Sequence, residues 1–392
     1  MIKKILPLTL GGLAIGTTEF VIMGLLPDVA RSLDVSIPEA GHFISSYALG
    51  VVVGAPLLVA FSSKLPPKKI LLLLLLVFVV FNGLSAVMPN YITFLFVRFF
   101  AGLPHGAFFG VGTAVAKNIA PPKKQGQAIA GMFAGLTIAN FAMVPLVTFI
   151  GHQFSWRSAF GMVALLGLIS MMAVHYMLPN LKSFSQGKVL EDLKFLKKPV
   201  ALFILSIVAI GFGGMFSWFS YISPLMTEVS KFPETRIPFI MILAGSGMFV
   251  GNFLGGWMAD KMRPALASNI LMIFFIVALM MVFFLSENQT ISLVLTFVCG
   301  MLSMSVVAPI NILIIRAAQK AEMLGAAFMQ AAFNIANSIG AYLGGIPLLH
   351  GLGYQYTSLV GAVLVFGGFV LSLIFMIKFK PFVKSPEEYS IH

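Results

Sequence analysis

The chain has 392 residues, of which 59% are hydrophobic and only 10% are charged, and its formal net charge is +12. A mean hydropathy of +0.99 excludes an ordinary water-soluble domain, in which about a quarter of the residues are charged. The single cysteine excludes an intramolecular disulfide and a cysteine-based metal cluster. We therefore expect an all-α integral membrane protein.

Twelve apolar runs follow one another along the chain, each long enough to cross the hydrocarbon as a helix of about 20 residues. The first run follows Lys3 and Lys4, as in a signal peptide, but it is longer than a usual signal segment and lacks a small-residue cleavage site. We predict that it is a retained transmembrane helix. The runs are residues 5–27, 42–63, 70–89, 91–116, 126–151, 158–178, 199–227, 237–259, 265–286, 289–315, 323–349 and 352–377.

The basic residues are unevenly distributed between the predicted loops. If the amino terminus is inside, most of the 25 Lys and Arg residues lie in inner segments, and the outer segments hold Arg31, Arg157, Lys231 and Arg236. This is the positive-inside bias of membrane proteins. We therefore predict a multi-pass membrane protein with both termini cytoplasmic. Its expected location is a bacterial inner membrane. The positive charge then serves contact with anionic lipid headgroups, and no nucleic acid is needed to explain it.

The sequence repeats itself at an offset of 197 residues. Ile138–Asn140 recurs as Ile335–Asn337, and Gly54 falls on Gly251 at the same offset. Matches at one offset, with six spans in each half, indicate parallel six-helix repeats, an arrangement that is typical of secondary transporters with a substrate site between the halves. We predict an amino-terminal six-helix bundle, a cytoplasmic linker and a carboxy-terminal six-helix bundle, over residues 1–178, 179–199 and 200–392.

Several segments carry a family resemblance that extends over nearly the whole chain. The first span reads TTEFVIMGLLPDVA and the fourth reads RFFAGLPHGAFFGVG, with Arg98, Gly102, Gly106 and Gly110 in an R-x-x-x-G-x-x-x-G pattern. These segments resemble the major facilitator superfamily, and in particular its twelve-span drug:proton antiporters of the arabinose and sugar efflux type. The resemblance implies two parallel-related bundles of six transmembrane helices. The three glycines, at four-residue spacing on one helix face, also predict close helix packing.

The loop motif of this family is better kept in the second half of the chain. In the loop between spans two and three, Ser63 stands where the family pattern G-x-x-x-D-R-x-G-R-R has its aspartate. After span eight, Gly256, Asp260 and Lys261 are in register with the pattern. The resemblance therefore implies that a gating ion pair belongs to the loop between spans eight and nine.

Ionisable side chains within a span are costly, by roughly 2.5–3.5 kcal/mol on insertion scales, and are therefore functional candidates. At 1.5 Å per residue, Glu19 lies about 21 Å above the inner end of its span, between Arg98 at about 27 Å and His105 at about 16 Å. A carboxylate between a fixed cation and a titratable imidazole can relay a proton. We predict that these three residues couple protons to transport, with Glu19 as the proton carrier. The alternatives are a structural ion pair with Arg98 and an imidazole that binds a backbone carbonyl.

Two stripes of side chains are candidate walls of a substrate site. Gln330, Asn334 and Asn337 recur at helical spacing on span eleven, and since amides in hydrocarbon need partners, they face a cavity or another helix. Span seven carries an aromatic stripe that either packs as core or lines the cavity that span seven faces in the family. The candidate substrate-binding residues are Phe216, Trp218, Phe219, Gln330, Asn334 and Asn140.

These features predict a proton-coupled exporter, an antiporter of small amphipathic compounds, drugs, sugars or nucleosides that works by alternating access and would confer drug resistance. Import of a sugar or nucleoside by proton symport is the alternative, because the antiporter pattern of span five is reduced here to Pro145. The sequence lacks paired catalytic carboxylates, an H-E-x-x-H motif and a nucleotide-binding glycine loop, which disfavours an enzyme or an ATP-driven pump. We expect a monomer in the lipid bilayer that binds its substrate and protons and has no cofactor or metal.

Overall fold

The computed structural model describes residues 2–62, 65–121, 124–181, 196–318 and 322–380, and the regular structure in these ranges is helical. Its long helical segments correspond one to one to the twelve predicted runs, which confirms the predicted all-helical architecture. Ser63 and residues 182–195, most of the predicted linker, lie outside the described residues. The segments are α1 Ile2–Gly24, α2 Ile37–Ser62, α3 Pro67–Ser85, α4 Tyr91–Ile119, α5 Gln125–Gln153, α6 Trp156–Met177, α7 Pro199–Phe219, α8 Ile237–Lys261, α9 Pro264–Leu285, α10 Gln289–Ala318, α11 Glu322–Leu349 and α12 Tyr356–Lys378.

The outer surface of the helix bundle is apolar. Within the described residues, ten helices are long and apolar enough to cross a membrane. The other two long helices, α2 and α11, have 26 and 28 residues. Large apolar side chains such as Leu73, Phe253, Phe274 and Val363 are exposed on the outside of the bundle. Such a surface suits lipid and is unfavourable in water. The protein is therefore a multi-span membrane protein.

Prolines account for irregular turns in two of the long helices. In α5 the turn Ala139–Met143 is π-helical and ends two residues before Pro145. In α10 the first helical stretch ends at Ser305, four residues before Pro309. A proline lacks an N–H group and its ring clashes with the carbonyl four residues earlier, so the helix must widen or break there.

The close helix contacts of the first half recur in the second half. Gly54 of α2 lies so close to the backbone of Leu103 in α4 that a Cβ atom would overlap it. Gly251 of α8 meets the backbone of Met301 in α10 in the same way. Gly54 and Gly251 are separated by the 197-residue offset of the sequence repeat. In both halves of the chain, a glycine at the equivalent position thus allows two helix backbones to approach closely.

Gly102 and Gly106 of α4 also lie against α2, next to the carbonyl oxygen of Tyr47 and the Cβ of Ala55. Gly110, one turn further along the same helix, is buried. Glycine at these positions lets the two helix backbones approach more closely than any larger residue would allow.

The two halves meet along two seams, where α2 packs against α11 and α5 packs against α8. On the first seam, Oγ of Ser45 donates a hydrogen bond to the carbonyl oxygen of Ser338 at 3.1 Å. Beyond the seams, Arg31 in the short helix Leu26–Leu33 forms an ion pair with Glu234 before α8, with Nη1 and Oε1 2.9 Å apart. We call the end of the bundle that carries this pair the rim end. These contacts close the rim end of the interface.

Candidate functional site

Glu19 of α1 lies at the interface between the two halves and is only 3% exposed. Its Oε1 accepts a long hydrogen bond, 3.4 Å, from Nδ2 of Asn337 on α11. The ring of the next residue, Phe20, packs against Phe216 and Phe219 of α7, with centroid distances of 6.2 and 6.0 Å. Glu19 therefore lies where α1 meets α7 and α11, as a substrate or proton site between the halves requires.

Arg98 of α4 is fully buried and directs its hydrogen bonds at Thr18, the residue before Glu19. Its Nη1 donates to the Thr18 hydroxyl at 3.1 Å and its Nη2 donates to the Thr18 carbonyl at 3.2 Å. The guanidinium also lies over the rings of Tyr47, at 4.4 Å, and Phe160, at 5.2 Å. A planar cation can make both kinds of contact at once. Arg98 is thus bound to the residue that precedes Glu19, through the hydroxyl and the backbone carbonyl of that residue.

His105 lies two turns along α4 from Arg98 and is also buried. Its Nδ1 is 3.0 Å from the hydroxyl of Tyr47 on α2. The partner of the imidazole is therefore this hydroxyl, where the sequence alternative was a backbone carbonyl. Tyr47 links the predicted residues, since its ring covers the Arg98 guanidinium and its hydroxyl meets His105.

Neither Tyr47 nor Asn82 of α3 is among the predicted site residues. The Thr18 hydroxyl hydrogen-bonds to Oδ1 of Asn82, whose Nδ2 donates to the carbonyl of Phe78 at 2.8 Å. A tyrosine hydroxyl or an amide within a span needs a polar partner, and that signal was available in the sequence. Together, Thr18, Tyr47, Asn82, Arg98 and His105 form a buried polar network that lies within the first six helices.

The polar stripe of α11 faces the other half of the protein only in part. Nδ2 of Asn334 donates to the carbonyl oxygen of Gln330, one turn earlier, at 3.0 Å. Gln330 is half-buried, and Asn334 and Asn337 are fully buried. The Oδ1 atoms of Asn334 and Asn337 are buried without a hydrogen-bond partner. Since buried acceptors are normally satisfied, these two atoms are free to accept from a ligand or from a protonated neighbour.

The aromatic stripe of α7 is buried, and two of its rings contact Phe20, the residue after Glu19. Phe216 meets Phe333 of α11 edge to face at 5.1 Å, in addition to its contact with α1. Trp218 packs beside Phe219 with ring centroids 5.5 Å apart, and its Nε1 is buried without a hydrogen-bond partner. Phe216 and Phe219 therefore reach α1 across the interface.

The remaining predicted residues lie elsewhere. Asn140 lies in the π-helical turn of α5, and its carbonyl oxygen lies against Gly245 of α8, so its backbone belongs to the second seam. Asp260 and Lys261 are exposed at the end of α8, and Gly256 is half-buried one turn earlier. The structure thus separates the loop-motif residues from the Glu19 group. Among the described residues, no group of three or more His, Cys, Asp or Glu side chains could hold a metal ion.

The interface around Glu19 is closed in this conformation. The side chains of Glu19, Asn334, Asn337 and Phe216 are each at most 3% exposed. A cavity of about 560 Å³ lies instead on the side of the bundle, and its lining residues on α3 and α6 include Lys69, Leu72, Met171, His175 and Tyr176. In this conformation the Glu19 side chain is therefore shielded from solvent.

Comparisons with known proteins agree with this architecture. Residues 8–328 match the family model described as Major Facilitator Superfamily. The chain is 40% identical over 377 residues to the putative transporter AraJ of Escherichia coli (strain K12). The aligned residues cover 96% of this chain and 95% of that protein. It is 37% identical over 372 residues to the inner membrane transport protein YdhP of the same strain, covering 95% of each chain.

A more distant relative is a probable sugar efflux transporter of Helicobacter pylori (strain J99), which is 27% identical over 364 residues, covering 93% of this chain and 92% of that protein. Among solved structures, the xylose transporter XylE from E. coli, in a partially occluded inward open conformation, gives a TM-score of 0.75 at 17% identity and covers 96% of this chain and 97% of that chain. At this level of identity, the likeness shows a shared fold.

Proposed function

Because the chain belongs to the major facilitator superfamily, we propose that it is a proton-coupled secondary transporter that exports small amphipathic compounds, drugs, sugars or nucleosides by antiport. Glu19 is the residue that carries the proton. The observation that carries this proposal is the contact of a buried carboxyl in the first half with an amide in the second half. A carboxyl whose neighbours and hydration change when the halves rock apart can bind a proton in one conformation and release it in the other.

The surroundings of Arg98 and His105 favour supporting roles for these two residues. Arginine stays protonated in proteins, and Arg98 is held by Thr18 and by two aromatic rings. His105 is hydrogen-bonded to Tyr47, within the same half. Since these contacts stay inside one bundle, rocking of the halves changes them less than it changes the surroundings of Glu19. We propose that the two residues set the electrostatic environment of Glu19.

Several observations support a substrate that is both polar and apolar. Phe216 and Phe219 supply flat apolar surface, and the free Oδ1 atoms of Asn334 and Asn337 accept hydrogen bonds. Relatives of the chain include a probable sugar efflux transporter, which supports export of a hydroxylated compound. Proton symport of a sugar or nucleoside is the second candidate, and the reduced antiporter pattern at Pro145 favours it.

We propose that the protein lies in a bacterial inner membrane as a monomer, with both termini in the cytoplasm. The similarity to an inner membrane transport protein supports this location, and the excess of basic residues in the predicted inner segments supports this orientation. The rim end then faces the outside of the cell. In this orientation the closed rim end is the outer gate.

The sign of a pH change tests the direction of coupling. Purified protein is placed in vesicles that contain a pH-sensitive dye, with equal pH on both sides, and candidate compounds are added outside. Antiport predicts that the lumen becomes alkaline as the compound enters, because protons leave in exchange. Symport predicts that the lumen becomes acidic. Protein-free vesicles control for passive entry of weak acids and bases, and a transported compound that leaves the lumenal pH unchanged would contradict proton coupling.

A further inference from the structure

The contact between Glu19 and Asn337 joins the two halves at the buried carboxyl itself. Resting on the proposed role of Glu19, we infer that Asn337 is a positioning residue that allows the closed interface to form with both the protonated and the ionised carboxyl. Asn337 does not carry the proton. It makes the closed conformation compatible with both forms of the group that does.

The amide of Asn337 presents both kinds of hydrogen-bonding group to Glu19. Nδ2 donates to Oε1 of Glu19, whereas the buried Oδ1 has no partner. An ionised carboxyl only accepts hydrogen bonds, and a protonated one also donates. Ionised Glu19 can therefore accept a hydrogen bond from Nδ2, the atom that contacts Oε1 in the structure. Protonated Glu19 can in addition donate a hydrogen bond to Oδ1. Rotation about the terminal torsion of the asparagine, which is soft, adjusts the geometry.

Among the residues that the structure describes, the other charged or titratable groups that act on Glu19 belong to the first half. Arg98 of α4 and Tyr47 of α2 are close enough to act on it electrostatically, and His105 of α4 lies behind Tyr47. From the second half, α7 presents the aromatic rings of Phe216 and Phe219 against Phe20, and α11 presents Asn337. The amide is therefore the polar group through which the second half responds to the state of Glu19.

An antiporter must cross its closed conformation twice in each cycle. On one crossing the carrier holds a proton, and on the other it holds the substrate with the carboxyl ionised. A partner that only accepts or only donates would favour one crossing and hinder the other, since unpaired buried polar groups are costly. An amide, which has both groups, suits both crossings.

The test reads the closed conformation directly and needs no substrate. Ser45→Cys and Ser338→Cys are introduced together in a Cys299→Ala background, and the rate at which a short bifunctional thiol reagent joins them reports closure of the α2–α11 seam. Rates are measured between pH 5 and 9 in detergent. Each is divided by the rate of the parent pair at the same pH, because thiolate reactivity itself rises with pH.

Asn337→Asp should close normally at acidic pH and close about tenfold or more slowly at alkaline pH, since two facing carboxylates repel each other when both are ionised. Glu19→Gln combined with Asn337→Asp exchanges the amide and the carboxyl across the contact. This double variant should restore closure at alkaline pH. A merely structural role of Asn337 predicts neither the pH dependence nor the rescue.

Asn269→Asp is the matched control. Asn269 of α9 is also a buried amide with an unpartnered Oδ1, but its Nδ2 contacts Met376 of α12, within the second half. This variant should close like the parent at every pH. If Asn337→Asp also closes like the parent, or if the exchanged pair fails to restore closure, the inference is wrong. A loss of proton coupling in the vesicle assay would overturn the proposed function without changing these rates, so the two failures are distinguishable.

Discussion

Ser45 on α2 donates a hydrogen bond to the backbone carbonyl of Ser338 on α11, at 3.1 Å, and so joins the two halves of the protein on the α2–α11 seam. One turn closer to the rim, the rings of His42 and Tyr342 are stacked across the same seam with centroids 6.0 Å apart. A hydrogen bond contributes about 0.5–1.5 kcal/mol, so contacts of this kind can be broken at modest cost. We expect this seam to open and close during transport.

Joining the two serine positions covalently should stop transport. In a Cys299→Ala background, the pair Ser45→Cys and Ser338→Cys should be joined by a short thiol reagent and should then transport nothing, because α2 can no longer leave α11. With a reagent that a reductant cleaves, activity should return after reduction. Each single cysteine variant, treated in the same way, is the control. A cross-linked protein that transports at the rate of the untreated protein would show that the seam stays closed throughout the cycle.

The ion pair between Arg31 and Glu234 should favour the closed form of the α2–α11 seam by a small amount. The hydrogen bond from Arg31 to Glu234 raises the pKa of the guanidinium, so Arg31 stays charged and Glu234 is the partner to remove. Both side chains are exposed, with 60% and 48% of their surface accessible, and such pairs contribute about 0–1 kcal/mol. Glu234→Gln should therefore slow closure of the seam by at most about fivefold.

The slower closure of Glu234→Gln should disappear at about 1 M salt, where exposed charges are screened. Glu287→Gln removes an exposed carboxylate from the loop between α9 and α10 and is the control for net charge. A larger effect than fivefold, or one that is independent of salt, would mean that Glu234 supports closure by packing and not by its charge.

Because α8 and α10 approach each other closely, we expect the stability of the protein to be strongly sensitive to one added methyl group. A Cβ added at Gly251 would overlap the backbone of Met301, and a backbone cannot move aside as a side chain can. Gly251→Ala should destabilise the protein by about 1–3 kcal/mol, measured as a lower temperature of unfolding in detergent. Gly161→Ala on α6 is the matched control, since open space surrounds that position and alanine favours a helix. Equal unfolding temperatures for the two variants would contradict this packing.

Replacement of Arg98 by lysine should impair the protein. Arg98→Lys keeps the charge but loses the planar group that covers Tyr47 and donates twice to Thr18. The loss of one charge-assisted hydrogen bond alone costs about 1.5–3 kcal/mol. We expect lower thermal stability together with reduced transport. Arg236→Lys, in the exposed turn before α8, is the matched control, and wild-type stability of Arg98→Lys would show that only the charge matters.

The helices were predictable because the length of an apolar run is a local property of the sequence. The relative depths of Glu19, Arg98 and His105 follow from the rise of a helix alone, and they stay a prediction. The rotation of each helix about its axis is set by tertiary packing and was not predictable. It turns Arg98 toward Thr18, puts Tyr47 between Arg98 and His105, and brings Asn337 to Glu19.

Glu19→Gln decides whether Glu19 carries the proton. Glutamine has nearly the shape of the protonated carboxyl but cannot release a proton. In vesicles supplied with a compound that the wild-type protein exchanges for protons, the variant should still equilibrate the compound across the membrane. The pH of the lumen should then stay unchanged. The control is Asp28→Asn, which removes a carboxylate that pairs with Arg31 at the rim end and should leave both signals intact. A Glu19→Gln protein that changes the lumenal pH at the wild-type rate would show that another group carries the proton.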